Sequence, residues 1–261
     1  MTRNPRIKLL LPAICLLFCS LAQAKDYSIE VIFFVNKDGL SQTAEQFSID
    51  QIIPVPNDGL NLFDKNEHPD IEITNQGVIV EKNIDDELEE PLIWQALPEE
   101  EYILNNVANK LKRSGRYRIL KHIAWRQPVV DKNQAKAIQI QAGRDFTELF
   151  PERAYRPVEF GDTINSFNED EELSKAVREL AGTIRVVITR YLHVYTDLVY
   201  RLPRTNPIAH EDALQREHVL VDYAVNSHRR MRSRELHYID HPLVGILVEA
   251  TPIEEDEEEN L

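Results

Sequence analysis

The feature that most restricts the fold lies in the last third of the chain. "GTIRVVITRYLHVYTDLVYRL" from Gly182, then "EHVLVDYAVNSHR", then "HPLVGILVEATPI" are rich in β-branched and aromatic residues. No amphipathic helix separates them. Parallel neighbours would need crossover connections, so three β-runs in succession predict antiparallel pairing.

The earlier segments fit around that sheet. "YSIEVIFFV" (Tyr27–Val35) reads as a buried first strand, and 36–97 as a long irregular excursion with four prolines and a short helical turn near "QTAEQF". A helix is expected from Pro98. Glu99, Glu100 and Glu101 suit its positive end, Lys110, Lys112 and Arg113 its negative end, and Ser114-Gly115 its stop. Its apolar stripe is Tyr102, Ile103, Leu104, Val107 and Leu111. "RYRILKHIAWRQPV" (Arg116–Val129) reads as a strand with Tyr117, Ile119, Lys121, Ile123 and Trp125 on one face. "AKAIQIQAG" reads as its hairpin partner, and 143–181 as loop with a short acidic helix over Glu171–Leu180. The expected class is α+β: a largely antiparallel β-sheet with one main helix packed on it and long irregular insertions.

The first 24 residues read as a cleaved export signal. Arg3, Arg6 and Lys8 precede an apolar run ending in Ala22-Gln23-Ala24. That run, about 15 residues, is short for a membrane span. Both cysteines, Cys15 and Cys19, lie inside it, so the exported chain has no thiol for a disulfide, a metal or a nucleophile. The expected location is the periplasm, with no membrane-embedded segment after cleavage.

Charge is sorted along the chain. Thirteen acids and two lysines lie between Asp64 and Glu101, whereas Tyr102–Val130 carries seven basic residues and no acid. The 253–261 tail reads as disordered and acidic. The formal charge of −14 falls to about −17 without the leader's three positive residues. Compartment and charge together argue against nucleic acid as a partner.

No G-x-S-x-G elbow, glycine-rich phosphate loop or H-E-x-x-H motif is present, and no catalytic residue is nominated. His237 and His241 have metal-pair spacing only on a helix, and Pro242 argues against one; hydrogen bonding within a turn is the simpler role. No metal or cofactor is expected.

The arginines carry more information. Arg229, Arg230, Arg232 and Arg234 fall within six residues of an acidic chain. Guanidinium forks bind carboxylates and stack on flat rings. An exported chain meets peptidoglycan, whose stem peptides carry carboxylates and whose sugars pack on aromatic rings. Strand alternation from Gly182 puts Ile184, Val186, Ile188, Leu192 and Val194 on a buried face. The other face holds Arg185, Thr189, Tyr191, His193 and Tyr195. Tyr191, His193 and Tyr195 form a candidate aromatic platform, with Trp125 as an added sugar-stacking ring. In a regular strand Arg230, Arg232 and Arg234 would share one face and Arg229 the other. Arg113, Arg116 and Arg118 would extend the basic surface if their strand lies alongside, and Glu235 and Asp240 would orient arginine or histidine. The opposing readings are core packing for the stripe and internal ion pairing for the arginines.

Three blocks carry a family resemblance: "LKRSGRYRILKHIAWRQP" (Leu111–Pro128), "ELAGTIRVVITRYLHVYTDLVY" (Glu179–Tyr200) and "RRMRSRELHYIDHPLVGILVEATP" (Arg229–Pro252). In that order they resemble the signature blocks of the CsiV family, the last being the most specific. The acidic excursion and the tail carry no match to it. The resemblance implies one domain over 25–252. It also implies a periplasmic peptidoglycan-binding protein supporting cell-shape integrity, associated with an outer-membrane lipoprotein activator of a bifunctional penicillin-binding protein. It implies no enzymatic activity and brings no binding residues with it. Two other classes stand beside it: a wall hydrolase with zinc on His237, His241 and Asp240, and a protein–protein adaptor without glycan affinity.

Overall fold

A computed structural model describes residues 26–39, 51–63, 78–81, 92–154, 176–188, 190–205 and 218–253. The leader, the "QTAEQF" turn, residues 171–175 of the expected acidic helix, Thr189 and the 254–261 tail lie outside them.

Strand β1 (Tyr27–Asn36) is the centre of the first sheet. It pairs antiparallel with β4 (Tyr117–Gln127) on one side and β10 (Val244–Pro252) on the other. The ladder extends through β3 (Leu92–Ala96) and β2 (Val78–Glu81) at one edge and β9 (His237–Ile239) at the other. A second antiparallel sheet has the order β5 (Ala137–Asp145), β6 (Arg178–Ile188), β7 (Leu192–Thr205) and β8 (His218–Met231). The class is α+β, with mostly antiparallel strands and one main helix, α1 (Asn105–Arg113).

β1 is apolar nearly throughout because both its faces are covered. Ile29, Val31, Phe33 and Val35 enter a core shared with Ile138, Ile184, Val194 and Leu198 of the second sheet. Ile32 and Phe34 point the other way, against Leu104, Val107, Ala108 and Leu111 of the helix region. Each large side chain fully buried there contributes about 1.5–3 kcal/mol.

The structure corrects several details. The helix starts at Asn105, after a 3-10 turn over Glu99–Glu101, and Ile103 is exposed. The reason is Glu30, buried on β1. Its carboxylate accepts the backbone N–H groups of Ile103 (2.7 Å) and Leu104 (2.9 Å) and the His122 Nε2 donor (2.6 Å). Donors at a helix entry suit an anion, so the carboxylate fixes where the helix begins. In β4 a bulge opposite Phe33/Phe34 leaves Leu120 as the extra residue, which reverses the alternation. Tyr117 and Ile119 therefore pack on the helix side, and Ile123 and Trp125 between the sheets.

β5 leaves β4 to pair with β6 in the other sheet. The long run from Gly182 divides into the β6–β7 hairpin, and Arg178–Leu180 begin β6 instead of ending a helix. The last run, β10, returns to the first sheet.

Part of the excursion is docked. Leu60 bridges the free edge of β5, its N–H donating to Ala137 O (2.7 Å) and its carbonyl accepting from Gln139 N (2.8 Å). Gln139 Nε2 donates to Pro56 O (3.1 Å), and Ile53 N to Asp222 Oδ2 on β8 (2.9 Å). The arm from Ile53 to Leu60 thus spans the second sheet from β8 to β5. The α2 turn (Pro151–Ala154) closes one end, with Phe146, Phe150, Val177 and Leu220. Three arginines of the basic 102–130 segment pair with acids elsewhere in the chain: Arg116 with Asp38, Arg126 with Asp26 and Arg118 with Glu179.

Candidate functional site

The β6–β7–β8 register assembles one patch on the second sheet, facing away from the core. Arg185 lies opposite Tyr195, and Tyr195 opposite His228. One step along, His193 lies opposite Arg230. Partners across an antiparallel ladder point to the same side, so one arginine and one histidine of β8 join the β7 stripe.

The side chains stack. The Tyr195 and His228 rings are 4.3 Å apart with 4° between planes, and His193 and His228 are 5.2 Å apart. His193 Nδ1 and His228 Nε2 share a hydrogen bond (3.0 Å). At the turn, the Arg230 guanidinium lies 3.8 Å from the Tyr191 ring centre, and Arg190 approaches the same ring at 5.5 Å. Lys132 sits 5.4 Å from the Tyr195 ring. Such cation–ring contacts contribute about 0.5–1 kcal/mol at exposed sites.

Desolvation, then the neighbouring His228 and Arg230, lowers the His193 value. A neutral imidazole keeps one donor and one acceptor for the shared hydrogen bond. Tyr191 remains 41% exposed and Arg230 is exposed. The result is a stack of near-parallel rings bordered by cations, with Lys132 and Arg230 set against ring faces. Ring edges of this kind can hydrogen-bond polar groups, and a guanidinium fork can pair with a carboxylate.

A family model described as "Peptidoglycan-binding protein, CsiV" matches residues 6–253. The chain belongs to the CsiV family. Neither a curated protein nor a solved structure matches it. CsiV membership supports peptidoglycan binding and a cell-envelope location. Among the described residues, no helix is long and apolar enough to cross a membrane.

Against this CsiV framework the expected site residues divide. Tyr191, His193, Tyr195 and Arg230 come together as one surface. Arg185 lies across the ladder from Tyr195, half-buried, its Nε without a hydrogen-bond partner among the described residues. Arg229 is exposed but alternates to the other side of β8. The strand ends at Met231, so Arg232 and Arg234 occupy the connection to β9 and do not form one row with Arg230. Arg234 takes a left-handed backbone (φ 60°), and Arg232 is 3.6 Å from Glu235 with both exposed. Trp125 is a correction: it is 0% exposed, buried between the sheets, and offers no ring to a ligand. Arg116 and Arg118 face acids of their own and do not extend the patch; Arg113 Nε donates to Asn109 O.

His228, Arg190 and Lys132 are additions. The first was legible as the residue two before Arg230; the others depend on a turn and a loop arriving from elsewhere. His237 Nε2 accepts the Arg232 N–H (3.1 Å), and His241 Nδ1 accepts from Leu243 and Val244 N–H, the turn role expected of both. Glu235 is 3.9 Å from His237, and Asp240 accepts from the Tyr238 hydroxyl (2.6 Å). Among the described residues no three His, Asp or Glu side chains converge as a metal set.

A second polar centre, unforeseen, joins the sheets. Glu179 of β6 is buried and receives Arg118 Nη2 (2.5 Å), Arg144 Nε (3.1 Å) and Nη2 (3.1 Å), the Arg144 N–H (3.0 Å) and the Tyr200 hydroxyl (3.3 Å). Gly143 makes this possible: its φ is +77°, and an added Cβ would sit 2.7 Å from a Glu179 oxygen. Burial alone would push the Glu179 carboxyl up, but the hydrogen bonds from Arg144 and Arg118 outweigh it and hold it low. Its stabilisation is therefore complete above the ordinary value of 4.5 and is lost as pH falls through the lower folded-state value. Denaturant midpoints followed on acidification should decline below that point, and Glu179→Gln should remove this component of the decline. An identical pH profile in the variant would refute the assignment.

Proposed function

We propose that this CsiV-family member is a non-catalytic periplasmic protein that binds peptidoglycan through the outer patch on β7 and β8. The observation that carries the reading is the exposed Arg230 guanidinium over Tyr191, continuous with the His193–His228–Tyr195 stack. A sugar lies across the stack, its hydroxyls against the polar edges of His193, His228 and Tyr195, and Arg230, with Arg190 at its border, takes a stem-peptide carboxylate. The chain supports wall synthesis and cell shape. Its protein partner is an outer-membrane lipoprotein that activates a bifunctional penicillin-binding protein. No substrate is turned over.

The test is co-sedimentation with purified sacculi. The double variant Tyr191→Ala/Arg230→Ala should bind roughly tenfold more weakly, since buried aromatic and arginine anchors dominate interfaces. Both side chains are exposed, so circular dichroism should be unchanged. Wild-type binding should weaken at about 1 M salt, where the screening length is about 3 Å. Full binding by the folded variant would overturn the site, and absence of wild-type binding would leave the adaptor reading in its place.

A further inference from the structure

The Glu179 centre borders a cleft of about 520 Å³ that none of the preceding roles uses. Val35, Tyr200, Leu202 and Leu243 give it apolar walls; Lys37, Arg118 and Arg144 give it three cations. This volume lies in the ordinary range for small-molecule sites. It is also remote from the patch: Tyr200 follows His193 by seven residues, about 23 Å along β7, and points into the core side of the sheet.

The charges do not cancel. Glu179 is the only carboxylate in hydrogen-bonding contact with Arg118 and Arg144 among the described residues, and it serves both. Their side chains remain 38% and 53% exposed. Arg118 commits one terminal nitrogen to Glu179, and Arg144 commits Nε and Nη2. The remaining guanidinium donors have no acceptor among the described residues. Lys37 Nζ donates to Gly115 O (2.8 Å) and is itself exposed. A buried carboxylate that aligns two half-exposed forks beside an ammonium is a preorganised receptor for an anion. The flanking apolar walls select an anion with a small aliphatic neck over a bare ion.

We propose that this cleft is a second binding site, which takes the free carboxylate end of a short peptide with small side chains, such as the D-alanine terminus of a peptidoglycan stem. The proposal rests on the wall-binding reading for the peptide's identity, but not on the aromatic patch. The carboxylate pairs with Arg144 and Arg118, and the alanine methyl groups contact Val35 and Leu202.

The probe is N-acetyl-D-alanyl-D-alanine, titrated into the full exported chain and followed by two-dimensional NMR. Saturable shifts are expected at the amides of Lys37, Arg118, Arg144 and Tyr200. The carboxy-amidated peptide should bind at least tenfold more weakly. Arg144→Ala should weaken binding by a similar factor. Because that change disturbs Glu179, Leu202→Trp provides a second arm: it fills the cleft, leaves the ionic centre in place and should abolish binding. The saturable shifts at these four cleft amides should persist in Tyr191→Ala/Arg230→Ala, which removes only the outer patch. No shift at the cleft, equal affinity for the amide, or equal affinity for inorganic phosphate would overturn the assignment. Peptide binding by a protein that fails to sediment with sacculi would keep the cleft and reject the wall reading. Sacculus binding without peptide binding would do the reverse.

Discussion

Asp222→Ala is expected to destabilise the protein by about 3–5 kcal/mol, the cost of leaving buried charge unpaired. The Asp222 side chain is 0% exposed. It receives Arg153 Nη2 at 2.6 Å and lies 3.5 Å from Arg201 Nε, and those two side chains are only 12% and 11% exposed. Neither guanidinium can turn to water without moving its strand or turn. Burial already lowers the Arg201 value, with Asp222 opposing that effect. Removing the carboxylate therefore leaves two largely buried cations without their counter-charge, with Leu220 O for Arg153 and Arg178 O for Arg201 as their remaining acceptors. The same oxygen that binds Arg153 accepts the Ile53 N–H, so the variant should also release the arm over the second sheet. Urea denaturation should register the loss, and limited proteolysis should cut faster near 51–56. Asp222→Asn, which keeps the volume and one acceptor, should fall between wild type and alanine. A loss below about 1 kcal/mol would mean that the two arginines find other acceptors.

Asp222 also marks the boundary of what the sequence disclosed. Elements that depend on local periodicity were readable. β1, β8 and β10 follow from β-branched runs, and the helix over 105–113 from the spacing of Leu104, Val107 and Leu111. The platform of Tyr191, His193 and Tyr195 was readable for the same reason: alternation by two puts them on one side, and Arg230 joins them by register. What escaped depends on pairs distant in the chain. Glu30 trims the start of the helix by holding the N–H of Ile103, 73 residues later. Leu120 is an unremarkable apolar residue until the ladder with β1 makes it a bulge. Glu179 follows an acidic stretch and reads locally as part of a helix, yet its partners lie 61 and 35 residues away. A buried carboxylate has no local signature; only its partners distinguish it from a solvated one.

The arginine block illustrates the same division. None of its four members is buried. Its geometry does not follow from alternation, because the strand stops at Met231 and Arg234 takes a left-handed turn. One guanidinium, that of Arg230, reaches the platform, and the neighbours Arg190 and Lys132 complete the cationic border in place of Arg232 and Arg234.

Trp125→Ala is expected to cost about 3–5 kcal/mol and to leave peptidoglycan affinity per folded molecule unchanged. As a sugar platform, Trp125 would behave in the opposite way: truncation would spare stability and reduce binding. The packing decides between them. The ring is buried between the sheets, among the side chains of β1 and the second sheet. Its Nε1 donates to Gln127 Oε1 (2.9 Å), and Gln127 Nε2 donates in turn to Val186 O (3.0 Å), so the indole supports a hydrogen-bonded tie from one sheet to the other. Alanine leaves a large cavity and an unsatisfied amide oxygen together. Trp125→Phe separates the two effects, because it refills most of the volume but cannot donate to Gln127; about 1–3 kcal/mol is expected for the orphaned acceptor. Denaturant titrations of both variants, with sacculus co-sedimentation under conditions where each remains folded, measure the two quantities independently. Wild-type stability in Trp125→Ala combined with lost sedimentation would return the ring to the surface and remove it from the core.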